Sequence, residues 1–440
     1  MPPEAGMGLV LVGLGLFFSL ATVSEQPATG ALAAPGVVAR LGAQLDDDAK
    51  LLVVAGAQPD ETAFAGAVAE AWKGEGRPVA AVVTGEPRDA RAALENLAAS
   101  GNRLGGIAAS AHAAGWLVFA SVKDDFPALG DPVVVVPQRH RGSNFLKPDN
   151  LLNVANQIAV IAIMAIGMTL VILTGGIDLS VGSLLALAAV LAALFIREFG
   201  GADQAGAGAM ILACFAAVVV TGLVGLLNGL FVTRFGIPPF LVTLAAMFIA
   251  SGFAYRITAG ESVYQLPDSF TWLGRGETLP GLPNAVVLMF LLYGLAHLLM
   301  TRMVIGRHLY AVGGNRAAAR LSGVPVERVL LFAYVIGAVL AGLGGVVMAS
   351  QLKSGSPTYG DMYELYVIAA VVVGGTSLSG GRGSMIGTLV GAFIIAVIQN
   401  GMNLMNVDSY SQKIVLGAVV LTAVWLDRLR AGGAGKGEAG

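Results

Sequence analysis

The chain has 440 residues, 56% hydrophobic and only 12% charged, with a net charge of −2, whereas soluble domains carry about 25% charged residues; a water-soluble globule is excluded and a lipid-embedded protein indicated. The near-neutral balance and the lack of a dense basic patch argue against nucleic acid as a partner. One cysteine, Cys214 in the run MILACFAAVVV, allows no internal disulfide or cysteine-based metal site, and His112, His140, His297 and His308 are scattered without HExxH spacing, so no metal is expected.

In chain order, residues 7–21 form one apolar stretch behind MPPEA, which holds no basic residue. A cleavable signal peptide has a positive start and a small-residue cleavage site, so 1–23 reads as an uncleaved first transmembrane helix. From 24 to 142 the composition turns polar, with Asp46, Asp47 and Asp48 and no apolar run long enough to cross a bilayer. Valine-rich segments at 51–57, 78–86 and 132–138 read as buried strands. Between them 60–73 and 88–99 read as helices, the first opening on an acidic turn. Strand alternating with helix implies a small inserted α/β domain with a parallel sheet, large enough for its own core.

From 150 onward, long apolar segments alternate with polar or Gly/Pro breaks. Spans are expected near 158–174, 181–196, 207–232, 240–257, 285–301, 329–350, 365–378, 386–404 and 414–426. With the first segment these make about ten transmembrane helices, an all-α polytopic membrane protein apart from the insertion. The 60 glycines suit helices whose backbones touch in lipid, and equally suit broken helices and turns.

Basic residues in short loops mark the cytoplasmic side. The loop 302–328 holds Arg302, Arg307, Arg316, Arg320 and Arg328 against Glu327, and the tail 428–440 holds Arg428, Arg430 and Lys436. Acids dominate alternate loops: Glu198 and Asp203, then Glu261, Asp268 and Glu277, then Asp361 and Glu364. Both termini are therefore expected in the cytoplasm and the inserted domain outside it, in a cytoplasmic (inner) membrane.

Three segments carry chemistry. MTLVILTGGIDLSVGS (168–183) sets Gly175, Gly176 and the lone acid Asp178 between two spans. An ionisable group at membrane depth marks a functional position or a paired structural one; the alternative is a turn in which Asp178 and Ser180 cap the next helix. GRHLYAVGGNRAAARLSG (306–323) is polar, basic and helix-prone over 315–321, suited to docking in a soluble partner's groove or simply a basic loop. VIAAVVVGGTSLSGGRGSMIGTLVGAF (367–393) joins a short apolar segment to a Gly/Ser-rich break. No GKS or GKT follows, so it is no Walker A loop; this chain is expected to bind no cofactor and to have no catalytic site of its own. Ser183, Asn228, Thr243, Asn400 and Asn403 lie in or at the ends of spans, where they either line a hydrated path with Asp178 and Ser180 or bond across helices.

The stretches 150–187, 306–324 and 363–405, in that order, resemble the permeases of ribose-type ABC importers, within the larger group that includes branched-chain amino-acid permeases. The resemblance covers 145–426, about two thirds of the chain, and makes 143–427 a permease domain. It implies a permease that dimerises, as a homodimer or pseudo-dimer, and pairs with ABC ATPase subunits that use the ATP. An extracytoplasmic substrate-binding protein would deliver a monosaccharide. Gly313, Gly314, Asn315, Arg316, Ala317, Ala318 and Gly323 would form the coupling element that meets the ATPase. Arg316 stands where the family often carries glutamate, Tyr366 and Val367 where an Asp-Ala pair is commoner, and the domain 24–142 is the largest departure. That domain is about the size of one lobe of a sugar-binding protein, and is expected to contact the binding protein or the incoming sugar, or to be a decoration without a transport role. Within the same architecture the alternative cargo is a branched-chain amino acid or nucleoside; from another class, the chain would be a membrane receptor with an outer ligand-sensing domain.

Overall fold

The computed structural model describes residues 3–434, with side chains for 6–425; Arg428, Arg430 and Lys436 lie outside the described side chains. The chain divides into two units, Met1–Thr22 with Asn144–Gly440, and Val23–Ser143. After α1 (Pro3–Ala21), the second unit runs β1 (Val23–Pro27), α2 (Ala34–Gln44), β2 (Leu51–Gly56), α3 (Pro59–Gly74), β3 (Val79–Gly85), α4 (Pro87–Ala99), β4 (Gly106–Ala109), α5 (Val122–Asp125), β5 (Val133–Val135) and β6 (Arg139–Ser143). Four of its strands form a parallel sheet in the order β3-β2-β4-β5, while β1 and β6 pair antiparallel as a separate ribbon.

The central strand β2, LLVVAG, is buried along its whole length, as a parallel strand covered on both faces must be. Its period-2 alternation divides the core. Leu51, Val53 and Ala55 meet Val37, Val38 and Leu41 of α2 and Phe64, Val68 and Trp72 of α3. Leu52 and Val54 meet Ala90 and Leu94 of α4. The Trp72 indole donates to Pro78 O at 3.2 Å, so even the polar edge of the largest core residue is satisfied. Helix α4 opens with a capping box between Glu86 and Asp89. β4, whose sequence GIAA holds no valine run, and α2 have no counterpart among the sequence-predicted elements, although β4 is a central strand.

The first unit continues with α6 (Pro148–Leu173), α7 (Val181–Phe199), α8 (Ala207–Arg234), α9 (Pro239–Thr258), α10 (Trp272–Arg275), α11 (Asn284–Arg302), α12 (Val304–Gly314), α13 (Arg316–Leu321), α14 (Val326–Leu352), α15 (Tyr363–Val373), α16 (Met385–Leu404) and α17 (Ser409–Ala434). Among the described residues seven helices, α6, α7, α8, α9, α11, α14 and α16, are long and apolar enough to cross a membrane. The expected span at 365–378 is shorter: α15 ends at Val373 before Gly374 and Gly375, and its 11 residues reach only about 16 Å, half a hydrocarbon core.

Helix α6 is the axis of this unit, buried at every residue from Ile158 to Leu173. Buried fraction separates helices that composition does not: 89% of the apolar window of α6 is buried, against 22% of that of α8, which exposes Leu212, Phe215, Leu223 and Leu227. α14 closes on both through small residues. A Cβ on Gly167 of α6 would lie 2.6 Å from Gly337 Cα of α14, and one on Gly225 of α8 would lie 2.6 Å from Tyr334 O. At the N-terminal end of α6 the chain ends flanking the second unit lie together. Asn144 N donates to Thr22 O at 3.1 Å, Phe145 N to Thr22 Oγ1 at 3.1 Å, and Phe145 packs on Phe18.

Candidate functional site

The three motif segments, widely separated in sequence, converge at the C-terminal end of α6. The helix ends in a Schellman turn: Gly175 N donates to Ile172 O at 2.8 Å and Gly176 N to Val171 O at 3.1 Å, with Gly175 at φ +74°, a conformation glycine adopts without a Cβ penalty. α15 ends in the same way, Gly375 N on Val372 O at 2.9 Å and Thr376 N on Val371 O at 3.1 Å. Two helices thus stop abruptly. The exposed carbonyls at the end of α6 are taken up by the other segments.

Gly381 N donates to Leu173 O at 2.9 Å, and the Arg316 guanidinium donates to Thr174 O at 2.7 Å. Tyr310 of α12 donates to Gly383 O at 2.8 Å. Gly313 sits where the three backbones meet, since a Cβ there would stand 2.5 Å from Gly381 N and 2.9 Å from Leu173 C. The contact is backbone on backbone, with no flexible side chain to absorb a displacement. Beyond it, Asn315 caps α13 by accepting from Ala318 N at 3.0 Å, and the α13 turn closes with Gly323 at φ +82°. Gly314, Asn315, Arg316, Ala317, Ala318 and Gly323 are exposed, as is Leu321 at 91%. The element combines a rigid inward contact with an open outward face.

Immediately beyond the α6 turn, Asp178 is fully buried. Its Oδ1 accepts from Ser180 N at 2.8 Å and Ser180 Oγ at 2.6 Å, an Asx turn that leads into α7. Its Oδ2 has no hydrogen-bond partner among the described residues, nor has the buried Tyr334 hydroxyl. Asn228 of α8 donates to Ser180 Oγ at 3.3 Å, Thr243 of α9 to Ile177 O at 3.3 Å, and Ser183 to Ser180 O at 2.8 Å. Asp178, Ser180, Ser183, Asn228 and Thr243 therefore form one polar knot tying α7, α8 and α9 to the turn. Asn400 and Asn403 stand apart. Asn400 exchanges two bonds with Asn150, at 2.8 and 3.0 Å, and Asn403 accepts from Gln412 at 2.7 Å. Asn150 is at the opposite end of α6, roughly 35 Å away along the axis.

Sequence reasoning did not single out Tyr310, Tyr334 or Gly381. Tyr310 lies inside a segment already marked as polar, but Tyr334 sits in an apolar run where a tyrosine carries no signal.

The second unit has its own polar edge at the C-terminal ends of β2 and β4, the central pair of the sheet. There the Glu61 carboxylate, in the first turn of α3, accepts from Gly56 N at 3.0 Å and from Ser110 Oγ. His112, exposed, stands edge-on to Trp116. In open parallel sheets the crevice at such strand ends, where connections leave to opposite faces, is where ligands bind.

Comparisons with known proteins agree on the class of the chain. The family described as "Branched-chain amino acid transport system / permease component" matches residues 150–424. A ribose import permease protein of Bacillus subtilis (strain 168) is 41% identical over 304 residues, covering 69% of this chain and 92% of that protein. The D-allose transport system permease protein of Escherichia coli (strain K12) is 35% identical over 285 residues (65% and 85%), and its xylose transport system permease protein 34% over 343 residues (64% and 86%). No solved structure matches the chain.

Proposed function

The chain belongs to the permease family of branched-chain amino acid transport systems, and we propose that it is the membrane-spanning subunit of an ABC importer that carries a monosaccharide across the inner membrane. The single observation that carries the transport mechanism is the junction at the end of α6, where the segments around Gly175, Gly313 and Gly381 touch backbone to backbone. The relatives for ribose, allose and xylose favour a sugar over a branched-chain amino acid or nucleoside.

In this reading the exposed face of α13, with Ala317, Ala318 and Leu321, docks in a groove of a separate ABC ATPase, which uses the ATP. The ATPase switches between two arrangements as it binds and hydrolyses nucleotide. Gly313 and Arg316 pass that switch to the ends of α6 and α15, and so to the knot of Asp178, Ser180, Ser183, Asn228 and Thr243, which closes the cytoplasmic end of the path. Asn400 and Asn403 pin the opposite ends of α16 and α17. With α1, α15 and α17 counted beside the seven long helices, the reading has about ten spans, and the basic loop 302–328 then sets both termini in the cytoplasm and the 24–142 insertion outside. Two permeases, identical or homologous, complete the assembly with an extracytoplasmic binding protein. The edge around Glu61, Ser110 and His112 gives the insertion a surface for that protein or its sugar.

Co-purification with a candidate ABC ATPase, followed by ATP-dependent uptake in proteoliposomes with a sugar-binding protein and D-ribose, D-xylose or D-allose, tests the reading. ATPase capture and accumulation of one of these sugars is the expected result. Purification with no ATPase, and uptake of none of them, would overturn it and favour the receptor alternative.

A further inference from the structure

Within the helical unit, a groove of about 970 Å³ is walled by α1, α15, α16 and α17. Most of the wall is aliphatic, supplied by Val10 and Leu14 of α1, Ile394 and Ile398 of α16, and Val415 and Val419 of α17. At the N-terminal end of α16 the lining turns polar, through Ser377, Arg382 and Ser384 of the break before that helix and Tyr310 of α12. Arg382 is exposed, its guanidinium has no acid or acceptor among the described residues, and no acidic residue lines the groove. From Ser384 to Ile398 the lining follows α16 for roughly 21 Å, room for one leaflet's depth of hydrocarbon, about 15 Å, with a headgroup beyond it.

The aliphatic wall sets what the body of an occupant must be. Water in the groove would wet apolar surface, and an empty groove would forfeit dispersion contacts along its whole length. A soluble partner does not reach side chains at hydrocarbon depth, whereas an acyl chain is already there. The polar end sets the sign of the head. A guanidinium with no carboxylate beside it attracts a phosphate and can bind two of its oxygens. A zwitterionic head would bring a cation of its own next to Arg382, and the wall offers that cation no counter-charge.

We propose that this groove holds an anionic phospholipid, one acyl chain lying between α1 and α17 and the headgroup on Arg382. Its place in the cytoplasmic leaflet rests on the importer reading, which puts the end of α6 at the cytoplasmic face. The polar end of the groove includes Gly381, Gly383 and Tyr310. Gly381 N bonds Leu173 O and Tyr310 bonds Gly383 O, so the headgroup rests on the same backbone that coupling must move, and the lipid tunes transport.

The test uses the full transporter with its ATPase. Native mass spectrometry after exchange into detergent with phosphatidylglycerol or phosphatidylcholine should show the wild type retaining the anionic lipid about fivefold over the zwitterionic one. Arg382→Gln should bring that ratio to about one, Arg382→Lys should keep most of it, and Ala418→Trp, which fills the groove from α17, should lower retention of both lipids. An unchanged ratio in Arg382→Gln, or retention unaffected by Ala418→Trp, overturns the site. A disulfide joining two copies through Thr422→Cys in a Cys214→Ala background would put a second permease on the groove, and overturns it too. With the binding protein added, sugar uptake should be faster in vesicles of equal parts phosphatidylglycerol and phosphatidylcholine than in phosphatidylcholine alone, and Arg382→Gln should remove the difference. Equal wild-type uptake in the two overturns the link to the junction. Uptake in neither overturns the importer reading, while the retention ratio still decides the lipid site.

Discussion

Gly313→Ala is the sharpest perturbation available, because alanine should help the helix and harm the machine. Gly313 lies in α12, where alanine is favoured over glycine by about 1 kcal/mol in propensity. Its Cβ would collide with Leu173 O and stand 2.5 Å from Gly381 N, whereas non-bonded heavy atoms settle at about 3.5–4.0 Å. The junction must therefore open by about 2 Å against Leu173 and about 1 Å against Gly381, which puts the cost at the upper end of the roughly 1–3 kcal/mol of overpacking. Set against the propensity gain of about 1 kcal/mol, this leaves a net penalty of about 2 kcal/mol on the closed junction and lowers its population tenfold or more. Gly314 is the internal control. It sits one residue on, in the same helix, with nothing within 4 Å of its Cβ position. Uptake in proteoliposomes, with ATPase capture measured alongside, should show Gly313→Ala slowed about tenfold or more with the ATPase still bound, and Gly314→Ala close to wild type. Equal activity in the two variants would refute a backbone-transmitted coupling.

Arg316→Met removes the charged donor from Thr174 O; a hydrogen bond of that type is worth about 1.5–3 kcal/mol, so a fall in thermal stability of the detergent-solubilised protein is expected, larger than that of Arg320→Met, whose exposed pair with Glu327 contributes about 0–1 kcal/mol. Asp178→Ala loses both bonds to Ser180 and should destabilise by about 1–3 kcal/mol, while Asp178→Asn keeps the acceptor Oδ1 and should cost less than half as much; equal losses would argue that the charge, not the turn, is what matters. Trp72→Ala empties the core of the α/β unit and should destabilise that unit by about 3–5 kcal/mol, seen as protease cleavage within 24–142 with the helical unit intact. The hydrogen bond from Lys353 holds the Asp268 carboxyl below the usual carboxylate range, so this pair supports folding at neutral pH and loses its contribution as pH falls through the lowered value; Lys353→Met should move the Asp268 titration, followed by carboxyl NMR, upward.

The helices were legible where hydrophobicity alone decides: α6, α8 and α14 are runs that no other environment would tolerate. Their arrangement was not. Nothing in composition distinguishes the axial α6 from the peripheral α8, because in lipid both faces of a helix are apolar and burial depends on which glycines meet, as Gly167 meets Gly337. In the α/β unit, the valine runs of β2 and β3 were readable, but β4, four residues of GIAA, owes its existence to neighbours on both sides rather than to its own propensity. The junction was visible as three marked segments and invisible as one place, since Gly381 on Leu173 O is a contact between residues with no sequence relation. Asn400 and Asn403 share with Asp178 only that they are polar residues in apolar spans; their pairing with Asn150 and Gln412 is set by tertiary packing, which a single sequence does not reveal.

Thr22 and Asn144 are joined by a hydrogen bond, so the two chain ends that flank residues 23–143 lie side by side. A short turn suffices to bridge a gap of a few ångströms, and the entropic cost of a longer bridge rises by only about 0.6 kcal/mol for each doubling of its length. The packing of α1 against α16 therefore asks only that two neighbouring chain ends be bridged, and an insertion can be gained, exchanged or discarded there in one genetic step.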